Sequence, residues 1–141
     1  MYKIYKYSLI LIVLFSSCNK TLPLKSKMSG THVKILRSCS LFNVSSDNKI
    51  FGNVSHQLIV DEGISSNPAH NILVGETIFI EGVHKITSDT RGPWLGVKGH
   101  WISKTGGQIN FVYCWSKGSK LLIAPWETDS YPETRTFNDL P

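Results

Sequence analysis

Helical periodicity is almost missing from this 141-residue chain. Beyond residue 30 no window repeats apolar residues at the spacing of an amphipathic helix, which excludes a helical bundle. The five histidines, His32, His56, His70, His84 and His100, stand fourteen or more residues apart. The short ligand spacings of zinc sites are therefore absent, and the sequence gives no reason to expect a metal. It has no Gly-x-Ser-x-Gly turn and no phosphate-cradling loop. Asp61, Glu62, Ser65, Ser66 and His70 supply carboxylate, hydroxyl and imidazole, but all on one loop. A nucleophilic triad needs those groups at fixed geometry from separate elements, so local turn capping is the simpler reading. No Lys/Arg stripe interleaves with aromatics, which argues against a nucleic-acid partner. With these features lacking, the expectation is a protein that is not an enzyme and needs no cofactor.

The N-terminal segment is informative. Lys3 and Lys6 give a basic start, residues 8–15 are apolar apart from Ser8, and Ser16-Ser17 precede Cys18. This is the three-part plan of a secretory signal, with an apolar part too short to span a bilayer. A cysteine directly after the small residues resembles a bacterial lipoprotein signal, with Phe15 where that family most often has leucine. The resemblance implies that residues 1–17 are removed and that Cys18 is lipidated as the new N-terminus. It implies a partner membrane reached through a lipid anchor, in the cell envelope. Asn19, which is not Asp, points to the periplasmic face of the outer membrane. The competing reading is an ordinary cleaved signal with an unmodified Cys18.

Removing residues 1–17 leaves 124 residues, enough for one compact domain. Residues 18–30 are polar, contain Pro23 and end at Gly30, so they read as the lipidated cysteine and a flexible tether. The formal charge of +5 falls to +3 without Lys3 and Lys6, and tether residues Lys20, Lys25 and Lys27 account for that remainder. The globular part is thus close to neutral.

Residues 31–126 read as one all-β domain. Short runs rich in Val, Ile, Phe, Tyr and Thr alternate with Gly, Asn, Asp, Ser and Pro clusters. Strands are expected over residues 32–36, 57–60, 76–83, 94–98, 108–115 and 120–123. Thr105-Gly106-Gly107 and Lys117-Gly118-Ser119 are expected hairpin turns. Residues 61–71 form the longest expected loop, and residues 127–141 read as a polar, fraying tail. Such a pattern predicts a small antiparallel barrel or sandwich after the N-terminal signal helix. The stretches Val74-Gly75-Glu76-Thr77-Ile78-Phe79-Ile80, Gly92-Pro93-Trp94-Leu95-Gly96-Val97 and His100-Trp101-Ile102 resemble bacterial SH3-like domains, which implies an SH3-like barrel.

Cys39 and Cys114 remain after Cys18. In an oxidising compartment an even pair reads as one disulfide, alongside the alternative of two buried thiols. Closing the loop of roughly seventy-five residues between them would contribute about 4–5 kcal/mol. The aromatics are the better functional candidates. Trp94, Trp101, Trp115 and Trp126 lie close together in the sequence, and tryptophan often anchors binding surfaces or stacks on sugars. Trp115 and Trp126 are assigned to the core. Trp94 and Trp101, near glycines, are expected at a binding surface with Arg91 and His100. The resulting expectation is a membrane-anchored binding or structural module whose partner is an envelope protein or a cell-wall glycan. An inhibitor or immunity-type protein that blocks an envelope enzyme is the alternative, with Asp61-Glu62-Gly63 as its acidic loop; a hydrolase ranks last.

Overall fold

The computed structural model describes residues 20–44, 54–60, 67–87, 93–128 and 135–141. The signal segment, Cys18, Arg91 and the Asp61-Glu62-Gly63 loop lie outside the described residues. The described chain is all-β. Its strands are β1 (Lys20–Leu24), β2 (Thr31–Lys34), β3 (Cys39–Asn43), β4 (His56–Val60), β5 (His70–Ile72), β6 (Thr77–Thr87), β7 (Trp94–Ile102), β8 (Gln108–Cys114), β9 (Ser116–Lys117) and β10 (Lys120–Leu121). The two expected turns are present: Gly106 and Gly118 have positive φ, 86° and 61°, the conformation that glycine adopts without steric cost.

Eight strands form one sheet in the order β1-β6-β7-β8-β4-β3-β5, with β2 also pairing β6. Strands β9 and β10 form a separate hairpin. All neighbours in the large sheet are antiparallel except β4 and β8, which run parallel. A parallel pair needs a long crossover, here supplied by everything from β5 to β7. The mixed, unclosed sheet corrects the expectation of an antiparallel barrel or sandwich. It is nevertheless strongly curled. Four strand steps separate β7 from β5, about 19 Å in a flat sheet. Yet the rings of Trp101 on β7 and His70 on β5 lie 5.8 Å apart. The β2–β6 pairing also runs one step past β2, where Ile35 N–H donates to Glu76 O and Gly75 N–H donates to Ile35 O.

The inner face of this curl holds the core. On β7, Leu95, Val97 and Trp101 alternate inward, beside Phe111, Tyr113 and Trp115 of the next segment. Gly99 stands between them because an added Cβ would fall 2.5 Å from Phe79 O and 2.8 Å from Phe111 Cζ. On β6 a bulge between Ile80 and Gly82 shifts the alternation, so Ile78, Ile80 and Val83 are all buried. Trp115 and Trp126 belong to the core as expected, and Trp126 packs edge-on against both Trp115 and Tyr113.

Both ends of the described chain depart from the sequence reading. The segment read as a tether contains β1, whose register with β6 runs from Lys20↔Thr87 to Leu24↔Val83. β1 is a strand because β6 is eleven residues long and offers an edge beyond β2. The segment read as a fraying tail folds back. Thr136 bridges Lys120, and Pro141 O accepts bonds from Ser26 Oγ and Lys27 N–H. Arg135 forms a buried bidentate pair with Glu127, both contacts 2.8 Å. Glu127 Oε2 also accepts from Ala124 N–H, and Arg135 donates to Leu122 O. A buried charge pair of this kind is held only where its remaining hydrogen bonds are met.

The expected Cys39–Cys114 disulfide is not formed in the structure, and the register gives the reason. Cys39 lies opposite Val60, on the face shared by Leu41, Leu58 and Tyr113. Cys114 follows Tyr113 directly and so projects to the other face. Cys39 is buried, whereas Cys114 is half-buried with its thiol directed to Ser116 O at 3.2 Å. Side chains leaving opposite faces cannot meet at disulfide distance without moving the backbone.

Candidate functional site

Alternation on β7 divides the predicted surface residues. Trp94 and His100 share the outer face of the sheet, together with Gly96 and Lys98. Trp101, expected with them, faces inward and is 5% exposed. This is a correction, and its cause is phase: Trp101 is in step with Leu95 and Val97. Two of the predicted residues are thus brought to one surface, and Trp101 is not.

The outer face contributes residues that the sequence reading missed. A row crosses four strands through His32, Phe79, His100 and Asn110, each opposite the next. The Phe79 ring lies between the two imidazoles, 4.9 Å from His32 and 4.9 Å from His100. The β6 bulge turns Glu81 to this face. Its carboxylate meets His100 Nδ1 at 3.1 Å and Lys98 Nζ at 3.5 Å. These groups are partly exposed, so their ion pairing adds little stability but fixes their positions. Towards the other end of the face, the Ile86 side chain lies over Gly96 beside the Trp94 ring. Burial, then the Lys98 charge, lowers the His84 pKa below its ordinary value. The arrangement presents aromatic surface, one carboxylate, one ammonium and hydrogen-bonding imidazoles. That is suited to recognition by stacking and hydrogen bonding. The signal for it was the alternation of Trp94, Gly96, Lys98 and His100 against Leu95, Val97 and Trp101, once β7 is extended to Ile102.

A second group lies on the inner face at the end of the core. The rings of His56 and His70 are 5.7 Å apart, and Trp101 lies beyond His70. Burial lowers the His56 pKa, and the nearby His70 lowers it further. Among the described residues no three His, Cys, Asp or Glu side chains converge as metal ligands. A shallow hollow of about 190 Å³ between Met28, Trp126, Glu127, Thr128 and Pro141 offers little reactive chemistry, since Arg135 occupies the Glu127 carboxylate. Burial pushes the Tyr113 phenol well above its ordinary range, which keeps it neutral. Among the described residues no helix is long and apolar enough to cross a membrane.

No protein-family model, curated protein or solved structure matches this chain.

Proposed function

We propose that this chain is a lipid-anchored cell-envelope protein whose β-domain binds a partner through the outer face of its sheet. The observation that carries the binding half is the row His32–Phe79–His100 with Glu81 and Lys98 fixed beside it. The anchoring half rests on the basic, apolar and small-residue order that ends at Cys18. The two halves fit together geometrically. β1 begins at Lys20, two residues after Cys18, so a lipid on that cysteine leaves almost no slack. Lys20 pairs with Thr87, and Trp94 lies across from Ile86. The Trp94 end of the face then lies towards the headgroups, where tryptophan is favoured. The Thr77 end of β6 lies about 33 Å away, at ~3.3 Å per residue. The His32–Phe79–His100 row is carried towards that distal end.

An aromatic platform with flanking hydrogen-bonding groups favours a glycan of the cell wall as ligand. Metabolic fatty-acid labelling with mass spectrometry should find a modified Cys18 peptide. Cys18→Ala should release the protein from membranes or leave an unprocessed precursor. Phe79→Ala should reduce retention on purified cell-wall glycan while leaving membrane association intact. An unmodified, soluble wild-type protein would refute the anchor. Full glycan retention by a folded Phe79→Ala variant would refute the binding face.

A further inference from the structure

His56 and His70 reach the same end of the core from β4 and β5, two strands that flank β3. His70 lies opposite Leu41, and His56 stands two residues before Leu58, so both share the inner face. Their ring centroids are 5.7 Å apart. Two imidazoles on one ion hold their nitrogens ~2.0–2.1 Å from it, and each ring centre lies about 1.2 Å further out, so a tetrahedral angle sets the centroids about 5.2 Å apart. The observed span is wider by about half an ångström, within reach of small side-chain rotations. The other histidine pair fails this test. His32 and His100 have the Phe79 ring between them, at 4.9 Å from each, and His100 Nδ1 is engaged by Glu81.

The surroundings suit a ligand. His56 Nδ1 lies 2.7 Å from Ser55 Oγ. With Nδ1–H donating to the hydroxyl, Nε2 keeps its lone pair, which is how outer partners set a ligating imidazole. The Trp101 ring lies 5.8 Å from that of His70.

We infer that His56 and His70 form a two-imidazole site for a borderline divalent transition-metal ion of the Ni²⁺, Cu²⁺ or Zn²⁺ class. Imidazole donors select these ions over Mg²⁺ and Ca²⁺, which need oxygen ligands. Among the described residues no third ligating side chain converges on the pair. The site is independent of the outer-face binding reading.

The test is titration of Ni²⁺ into the purified full-length chain, followed by calorimetry and by the imidazole NMR signals. One ion per chain should bind, and the His56 and His70 signals should broaden before those of His32, His84 and His100. His56→Ala and His70→Ala should each weaken binding by about tenfold or more, at least the loss seen when an outer partner is removed. His32→Ala and His100→Ala should bind as wild type. Absence of binding, broadening spread evenly over all histidines, or unchanged affinity in both folded His56 and His70 variants would each overturn the site. The broadening is read on wild type, so a variant that fails to fold leaves the test intact.

Discussion

The two faces of β7 place similar residues in different physical settings. Trp101 is packed inward among Phe111, Val97 and the curled strands, with His70 against its ring. Trp94, on the same strand, lies half-buried on the outer face above Gly96. Each face also has a glycine under a large side chain. Gly99 accommodates Phe111 and the Phe79 carbonyl on the inside, whereas Gly96 accommodates the tip of Ile86 on the outside. The inner contacts include backbone and a ring held on all sides. The outer ones are side-chain atoms only, Ile86 Cδ1 and the edge of the Trp94 ring. One face of the strand is thus fixed against backbone and ring, the other against side-chain ends.

The largest expected effects belong to the inside. Trp101→Ala should lower stability by about 3–5 kcal/mol, because an aromatic of this size leaves a cavity that the curled sheet cannot fill. Glu127→Gln should cost a similar 3–5 kcal/mol or slightly less, since it leaves the Arg135 charge buried without its carboxylate. Urea unfolding monitored by near-UV circular dichroism measures both. A loss below 1 kcal/mol in Trp101→Ala would erase the distinction between the faces.

Next come the glycines. Gly99→Ala should cost about 1–3 kcal/mol by overpacking against atoms that cannot yield. Gly96→Ala should cost less, because its near neighbours are side-chain atoms of Ile86 and Trp94 with no backbone among them. Comparing the two midpoints sharpens the contrast directly, and a reversed order would break it. Trp94→Ala should be milder than Trp101→Ala, at about 1 kcal/mol, as its ring is partly solvated. Equal losses in the two tryptophan variants would mean that both rings are core.

The smallest effect is a pH dependence. His84 has a folded pKa below its unfolded value near 6.5, owing to burial and Lys98. The unfolded chain then binds protons more readily as pH falls below that value, so this group lowers stability on acidification and contributes no penalty above it. Lys98 is the charge that acts on it, and Lys98 itself pairs with Glu81. A His84→Asn variant should lose less stability between pH 7 and pH 5 than wild type does. Identical slopes would remove His84 from the account.

Much of the fold was legible because strand signals are local. The runs around β4, β6, β7 and β8 carry β-branched and aromatic residues bounded by glycine, and both hairpin turns carry the glycine their φ demands. Trp115 and Trp126 were assignable to the core because a domain this small needs its largest residues there. Strands β5 and β9 were missed because two or three residues hold too little alternation to register, and β3 because its Cys-Ser-Leu-Phe-Asn run has few β-branched residues. β1 was missed because a polar, proline-containing segment becomes a strand only when another strand offers it an edge. Trp101 was misplaced by ending β7 four residues early, which hid its phase with Leu95 and Val97.

By itself, the sequence determined what repeats every two residues: that the chain forms strands, where the turns fall, and which side chains share a face. It also holds the N-terminal pattern that suggests an anchor. Only the tertiary structure decided strand order, the parallel β4–β8 pair and the curl. Those three bring His56 beside His70 and send Cys39 and Cys114 to opposite faces. The physical reason is that alternation is a property of neighbouring bonds. Which strands become neighbours is settled by burying one face of the whole sheet at once, a competition among contacts distant in the chain.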